Sequence, residues 1–352
     1  MTARAASKTA DRRATLALKI AYAVSSNRVG KANFILALNM CNALSSIGAA
    51  VRMFAIFIKQ AMDADGKAIL REFAEFSNGL WRLNRSSYPN GRGAQYIPAR
   101  ALFPLERLAH FQLVLKARLW RPDALYTCDY PHAKLAAFLR TPFAMEVHES
   151  NTPHMPPAKL RSLGSIARGK YALLICATTQ KIADDLAFAG VPQSKLLIMP
   201  NAAPPPTDFA DKLDARARLN IAADDKLAVY TGHLYQGKGV NDLIRAAARL
   251  PQVKFMIVGG EGGSLAAAKE LARSLGASNL KFVGMVAPRQ AQLSQAAADA
   301  LVATPHDDLF HSPLKIAAYA AARRPIVAPA LTSSPTLLQA TASHPFYLPV
   351  VP

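Results

Sequence analysis

Two lysines, Lys238 and Lys315, each stand where a short apolar run gives way to a helix-like run. The first lies in Thr231-Gly-His-Leu-Tyr-Gln-Gly-Lys-Gly239, the second in Ser312-Pro-Leu-Lys-Ile-Ala-Ala-Tyr319. Gly232 lets the backbone turn tightly after the strand end Leu227–Tyr230, and the run from Val240 has helical spacing, so Lys238 sits where strand becomes helix. On its own, this lysine reads first as a solvated loop residue beside a turn glycine. The second stretch changes the balance. Ser312-Pro313 is a helix start, with Ser312 as N-cap and Pro313 at the first position, leaving backbone N–H groups beside Leu314 and Lys315. Junctions of this kind project from one end of a parallel sheet, where open α/β folds bind ligands. Two helix starts, each with a lysine, would grip one diphosphate.

The elements that must hold these junctions alternate between strand and helix along the chain. A buried-type strand from about Leu16 to Val24, the turn Ser25–Lys31 and a long apolar-periodic helix to about Gly48 open a doubly wound domain, and Val51–Ile58 is its second strand. The G-x-G-x-x-G pattern is absent, which argues against dinucleotide binding here. Between Gln60 and Arg100 the pattern weakens, and Asn84–Gly93 reads as a loop. Leu105–Trp120 reads as a helix carrying His110, Lys116 and Arg118; it can lie on a membrane or pack on the sheet by its apolar face. Strands follow at Pro142–Glu149, Ala172–Thr179 and Lys195–Asn201, and Thr178-Thr179 caps the helix Gln180–Ala189. Ala203-Pro-Pro-Pro-Thr207 is a stiff, short linker. The expected organisation is α/β, with two Rossmann-like doubly wound parallel-sheet domains over 1–203 and 204–352, residues 1–14 forming a disordered tail. Beyond the linker, Gly259-Gly-Glu-Gly-Gly263 after the strand Phe255–Val258 lets backbone approach a phosphate or sugar, or is a loop needing positive φ.

With 352 residues, the chain can bury two cores, and no apolar run approaches the ~20 residues of a membrane span. The formal charge is +19. Residues 1–203 hold 27 basic and 12 acidic side chains, so the excess is concentrated in the first domain. Such a surface attracts anionic lipid headgroups, acidic glycans or nucleic acid. Nucleic acid ranks last, because no RNA-binding signature, zinc-finger spacing or arginine-rich block is present. Cys41, Cys128 and Cys176 are far apart and odd in number, which fits buried thiols in a reducing compartment. The expected location is cytoplasmic, with peripheral contact at the inner face of an anionic membrane.

From Lys226 to Pro329 the chain resembles the donor-binding domain of family 4 glycosyltransferases, retaining enzymes of the two-Rossmann-domain GT-B architecture. The residues that carry the resemblance are Tyr230–Val240, Phe255-Met-Ile-Val-Gly-Gly260, Leu280-Lys-Phe-Val-Gly284, Ala298-Asp299, and Ser312–Lys315 through Arg324-Pro-Ile-Val327. Their order and spacing are specific as a set. The resemblance implies two domains facing a cleft and transfer of a sugar from a nucleotide-diphosphate sugar, such as a UDP- or GDP-sugar, to a glycan or lipid-linked acceptor. It implies no separate cofactor and no metal. Lys238 and Lys315 would hold the diphosphate with His233 and Ser312 assisting, His148 would orient the sugar, and Gly30 would shape the acceptor edge. Gly232 and Gly260 would let the backbone approach the donor, and the turn at Met285 would meet the nucleobase.

The sequence departs from the family pattern at several places. Ala318 stands where relatives carry the glutamate that accepts hydrogen bonds from the ribose, and Phe310 where many carry a second glutamate near the sugar. Arg323 replaces a usual glycine, Ala202 replaces the glycine of a Pro-Asn-Gly turn, and the C-terminal domain reads as shortened. These departures give an alternative expectation: a catalytically silent relative that binds a glycan, a nucleotide or a partner enzyme.

Overall fold

The computed structural model describes residues 18–26, 32–57, 83–86, 99–201, 211–234, 237–304, 314–329 and 347–350. The expected tail 1–14, Gly30, the linker 203–207, Ala202, Phe310 and Ser312 lie outside these residues. By packing, the chain divides into two compact units, one of residues 1–146 with 166–174 and the other of residues 147–165 with 175–352.

The first sheet has seven strands in the order β3-β2-β1-β4-β5-β6-β7. These are β1 (Lys19–Ser26), β2 (Ala50–Phe57), β3 (Leu83–Ser86), β4 (Ala124–Thr127), β5 (Phe143–Val147), β6 (Ala172–Ala177) and β7 (Leu196–Ile198). Its helices are α1 (Ala32–Ser46), α2 (Ala99–Leu119), α3 (Tyr130–Phe138), α4 (Pro157–Ala167) and α5 (Gln180–Phe188). β1 pairs in parallel with β2 on one side and β4 on the other, the reversal of strand order that defines a doubly wound sheet. One face of β1 (Ile20, Tyr22, Val24) packs on Phe34, Leu38 and Cys41 of α1, which is the period-2 alternation meeting a helical stripe. The other face is covered by α2, whose Leu113, Val114 and Ala117 are buried. His110 is buried with them, its Nδ1 2.8 Å from Nε2 of His132. The packing alternative for this helix therefore describes its inner face.

The second sheet has six strands in the order β10-β9-β8-β11-β12-β13. They are β8 (Leu227–Thr231), β9 (Lys254–Val258), β10 (Leu280–Gly284), β11 (Ala300–Val302), β12 (Ile326–Pro329) and β13 (Tyr347–Val350), with helices α6 (Lys212–Leu219), α7 (Val240–Arg249), α8 (Gly262–Ser274), α9 (Pro288–Ala296) and α10 (Leu314–Ala321). All five residues of β8 are buried. Leu227 and Val229 face one core with α9 and α10, Ala228 and Tyr230 face another with α7 and α8. A parallel strand covered by helices on both faces is a continuous apolar run for this reason.

Two strands differ from the sequence expectation. The loop read at Asn84–Gly93 overlaps β3 (Leu83–Ser86), which pairs in parallel with β2 from Met53↔Leu83 to Ile56↔Ser86. Tyr347–Val350 is β13 and pairs with β12. Asn84 and Arg85 in one and Pro349 in the other mask the pattern, and such residues are tolerated at a sheet edge.

The start of β8 is fixed by a buried arginine. Arg216 of α6 is 1% exposed. Its Nε donates to the Ala297 carbonyl (3.0 Å), Nη1 to the carbonyls of Ala222 (3.1 Å) and Ala223 (2.6 Å), and Nη2 to Asp299 (2.6 Å). Asp299 also accepts from the Leu227 amide at 2.8 Å and from Lys212 at 2.6 Å. Partial burial works against its charge, and these donors outweigh that, so its carboxyl is held below the ordinary aspartate value. Arg216→Met should leave three carbonyls and a carboxylate short of donors and lower the stability of this unit by about 2 to 3 kcal/mol, read from urea denaturation.

Candidate functional site

In the second sheet the strand order reverses between β8 and β11, and the lysines gather at the C-terminal end of these strands. Helix α10 begins at Leu314, so Lys315 occupies its first turn. The Lys315 ammonium lies 3.8 Å from the centroid of the Tyr230 ring. It is also 3.2 Å from where a Cβ on residue 232 would stand, so the glycine leaves the ammonium its place. The ring is anchored in turn: Tyr230 is fully buried and its hydroxyl donates to the His233 carbonyl at 2.8 Å. Gly232, His233 and Lys315 are thus brought together around one aromatic ring.

Tyr319, one helical turn after Lys315 and on the same face of α10, fixes the helix to the sheet. Its hydroxyl accepts from the Thr231 amide at 2.8 Å and donates to the Val302 carbonyl at 3.3 Å. Gln295 of α9 donates to the Thr231 hydroxyl at 3.0 Å. Burial pushes the Tyr319 phenol up to about 12, against the effect of its bonds to Thr231, so it remains a neutral donor and acceptor near neutral pH.

Lys238 enters from the loop before α7. The Thr304 hydroxyl donates to its carbonyl at 2.9 Å. Gly239, the N-cap of α7, has φ +66°, and a Cβ there would run into the Thr304 carbonyl. Here glycine is required by both conformation and space. A similar constraint joins the strand ends. Gly232 N–H donates to the Val258 carbonyl (2.9 Å), Gly259 N–H to the Gly284 carbonyl (2.6 Å), and a Cβ on Gly259 would strike the carbonyl of Gly232. Gly260 follows, packed on Leu234, and Met285 stands 41% exposed just after β10. Of the two readings of the glycine-rich run, the loop needing positive φ is observed at Gly259 and Gly260, whose near neighbours are the Gly232 backbone and the Leu234 side chain.

Burial, with the charge of Lys238 acting in the same direction, pushes the Lys315 ammonium down to about 7. Contact with the Tyr230 ring offsets about 1 to 2 kcal/mol of the desolvation cost. Two ammonium groups that raise each other's energy suit an anion and would repel a divalent cation. Ala318 lies three residues beyond Lys315 on α10 and is half-buried. Arg323 has φ +53°, so the place where relatives carry glycine does have the left-handed backbone, here taken by arginine at a cost of ~1 kcal/mol.

His148 belongs to the other sheet and follows the last residue of β5, half-buried. What the sequence reading missed at the lysine cluster is the framework of Tyr319, Thr231, Gln295 and Thr304. Their hydrogen bonds are long-range, and only the spacing from Lys315 to Tyr319 is a local signal.

The Lys315 shift makes the second unit's stability depend on pH. Below about 7 the lysine is charged in folded and unfolded chains alike, and the cost of burying the charge is fully present. Between there and the ordinary value of 10.5 the folded chain has lost the proton and the unfolded chain keeps it, so stability rises with pH. Urea denaturation across this range should show that rise in the native sequence, with Lys315→Met removing it.

Residues 225–346 match the family model described as Glycosyl transferases group 1. An alpha-galactosylglucosyldiacylglycerol synthase of Streptococcus pneumoniae is 29% identical over 154 residues, covering 41% of this chain and 40% of that protein. A D-inositol 3-phosphate glycosyltransferase of Mycobacteroides abscessus is 43% identical over 54 residues, 15% of this chain and 12% of that protein. The matches thus span less than half the length of these relatives. Among solved structures, Anabaena Alr3699/HepE in complex with UDP and glucose has a TM-score of 0.64 at 20% identity, covering 91% of this chain and 83% of its own. Sucrose-phosphate synthase from Thermosynechococcus elongatus has a TM-score of 0.65 at 19% identity, covering 89% and 82%. These likenesses give the fold, two Rossmann-like parallel-sheet domains of the GT-B type. The match of residues 225–346 to the glycosyl transferases group 1 model agrees with the resemblance of this stretch to the family 4 glycosyltransferases.

Proposed function

We propose that the chain is a retaining glycosyltransferase that uses a nucleotide-diphosphate sugar as donor and a glycan or lipid-linked glycan as acceptor. The observation that carries this reading is the pairing of Lys315, enclosed between Gly232 and the Tyr230 ring, with Lys238 at the switch point of the second sheet. The difficult step is departure of the nucleoside diphosphate from the sugar's anomeric carbon. As that C–O bond breaks, negative charge grows on the leaving phosphate, and cations already in place stabilise it without reorganising. A diphosphate between the two lysines removes their repulsion and favours the charged form of Lys315, so binding near neutral pH takes up a proton. The acceptor hydroxyl oxygen then bonds to the face that the leaving group vacates and gives its proton to the departing phosphate, which retains the anomeric configuration. In this reading His148 orients the transferred sugar and Gly30 shapes the acceptor side. The UDP and glucose complex of the Anabaena neighbour makes a UDP-sugar the first donor to test.

Ala318 favours a second reading, a silent relative, because it removes a carboxylate that would accept from the ribose. Such a charge-assisted bond is worth about 1.5 to 3 kcal/mol, or ~10-fold to 100-fold in affinity, so its loss weakens donor binding without abolishing it.

Calorimetry with UDP-glucose and with UDP separates these readings. Lys315→Met and Lys238→Ala should each weaken binding by ~10-fold or more, and Ala318→Glu should tighten it by about 10-fold. Turnover of the donor, with the product's anomeric configuration read by NMR, supports the transferase. Binding without turnover favours the silent relative, and no binding of either compound or of the GDP equivalents contradicts the transferase and leaves the silent relative with a glycan or a partner enzyme as its ligand.

A further inference from the structure

The opposite end of the first sheet carries a second surface. The strand starts of β2, β1, β4 and β5 lie side by side, through the pairings Lys19↔Ala50, Ile20↔Ala124 and Leu125↔Phe143. At ~4.8 Å per strand they span about 15 Å. The C-terminal ends of α1, α2 and α3 arrive at this same edge, because each helix runs back before the next strand. Each of those ends exposes a large apolar side chain: Ile47 just after α1 (80%), Leu119 at the end of α2 (72%) and Phe138 at the end of α3 (75%). Leu18, just before β1, is 54% exposed. Side chains of this size on one edge have no role in the core.

The charges around them are nearly all positive. Lys19 and Arg52 lie 4.7 and 4.8 Å from the Trp120 ring, just beyond Leu119, and Arg118, Arg121 and Arg140 are exposed beside it and beyond α3. The acidic residue in this group, Asp123, accepts from the Lys19 amide at 2.7 Å. Arg121 and Arg140 stand two residues past the ends of α2 and α3, and each has φ +54°, the left-handed backbone that glycine adopts without strain. A cation at a helix C-terminus complements the dipole. The dipole does not account for a bare Leu119 or Phe138 beside each arginine. The sequence before Leu18 contains Arg4, Lys8, Arg12 and Arg13 against Asp11.

We infer that this edge, formed by Leu18, Ile47, Leu119 and Phe138 with the surrounding Lys19, Arg52, Arg121 and Arg140, docks on an anionic lipid surface. Apolar side chains enter the acyl boundary while the cations meet the headgroups, a combination that fits a bilayer. A nucleic acid offers no comparable place for four apolar side chains, and a second copy of the chain would set these cations against one another. The inference concerns the first unit alone and stands whether or not the donor site is active.

The test is co-flotation of the whole chain with vesicles of phosphatidylcholine, with and without phosphatidylglycerol, at low salt. The native sequence should float with the anionic vesicles and not with phosphatidylcholine alone. Leu119→Ser with Phe138→Ser should lower partitioning at least ~10-fold. Arg121→Gly with Arg140→Gly should lower it about 25-fold, from about five-fold per charge near an anionic surface. The glycines relieve the left-handed strain, so a loss of binding by that variant cannot be ascribed to unfolding. The inference is overturned if the native sequence ignores anionic vesicles, if both variants bind as it does, or if sedimentation shows a dimer that the serine substitutions dissolve.

Discussion

An ammonium group taken out of water is costly, and the second unit contains one beside a second cation. The Lys315 charge is enclosed by the Tyr230 ring and the bare backbone of Gly232, with Lys238 acting on it from the next loop. Much of the surrounding structure serves to hold that arrangement. Tyr319 fixes α10 one turn away, Thr231 and Gln295 fix Tyr319, and the hydroxyl of Tyr230 holds the turn at His233. The energy that the free protein spends on keeping the cation there is released when an anion arrives, which links the packing to the proposed chemistry.

Backbone proximity is the second constraint. The ends of β8, β9 and β10 are joined through Gly232, Gly259 and Gly284 by main-chain hydrogen bonds, and a side chain at Gly259 or Gly239 would occupy the space of a neighbouring carbonyl. Glycine at these positions therefore lets the strand ends pack main chain against main chain. The lysine-bearing edge of the second sheet and the basic, apolar edge of the first are products of the same topology. In a doubly wound sheet, turns that follow strands collect at one end and helix C-termini at the other.

The strand-turn-helix junctions were legible from residue types alone, because Gly232, Lys238 and Lys315 are punctuated by apolar runs on both sides. That the ammonium of Lys315 is the one enclosed was not, since that depends on a ring in β8 and a glycine beyond it meeting a helix some 80 residues later in the chain. Tyr319 looked like an ordinary helix residue for the same reason. The edge strands β3 and β13 escaped because short strands at a sheet edge tolerate asparagine, arginine and proline, which read as loop. His110 appeared as one of several basic groups on a helix, and its burial against His132 follows from a tertiary contact. The left-handed backbone at Arg121, Arg140 and Arg323 was hidden because arginine carries no signal for it; at Arg323 only the family's usual glycine hinted at it.

The most direct test of the central claim is the titration of Lys315 itself, followed by NMR of lysines labelled at the ε-carbon, with Lys315→Met to assign its resonance. The account predicts a titration at about 7 in the free protein and a move to higher pH when UDP-glucose binds, because the anion favours the charged form. A lysine that titrates at its ordinary value of about 10.4 and does not respond to UDP-glucose would contradict it.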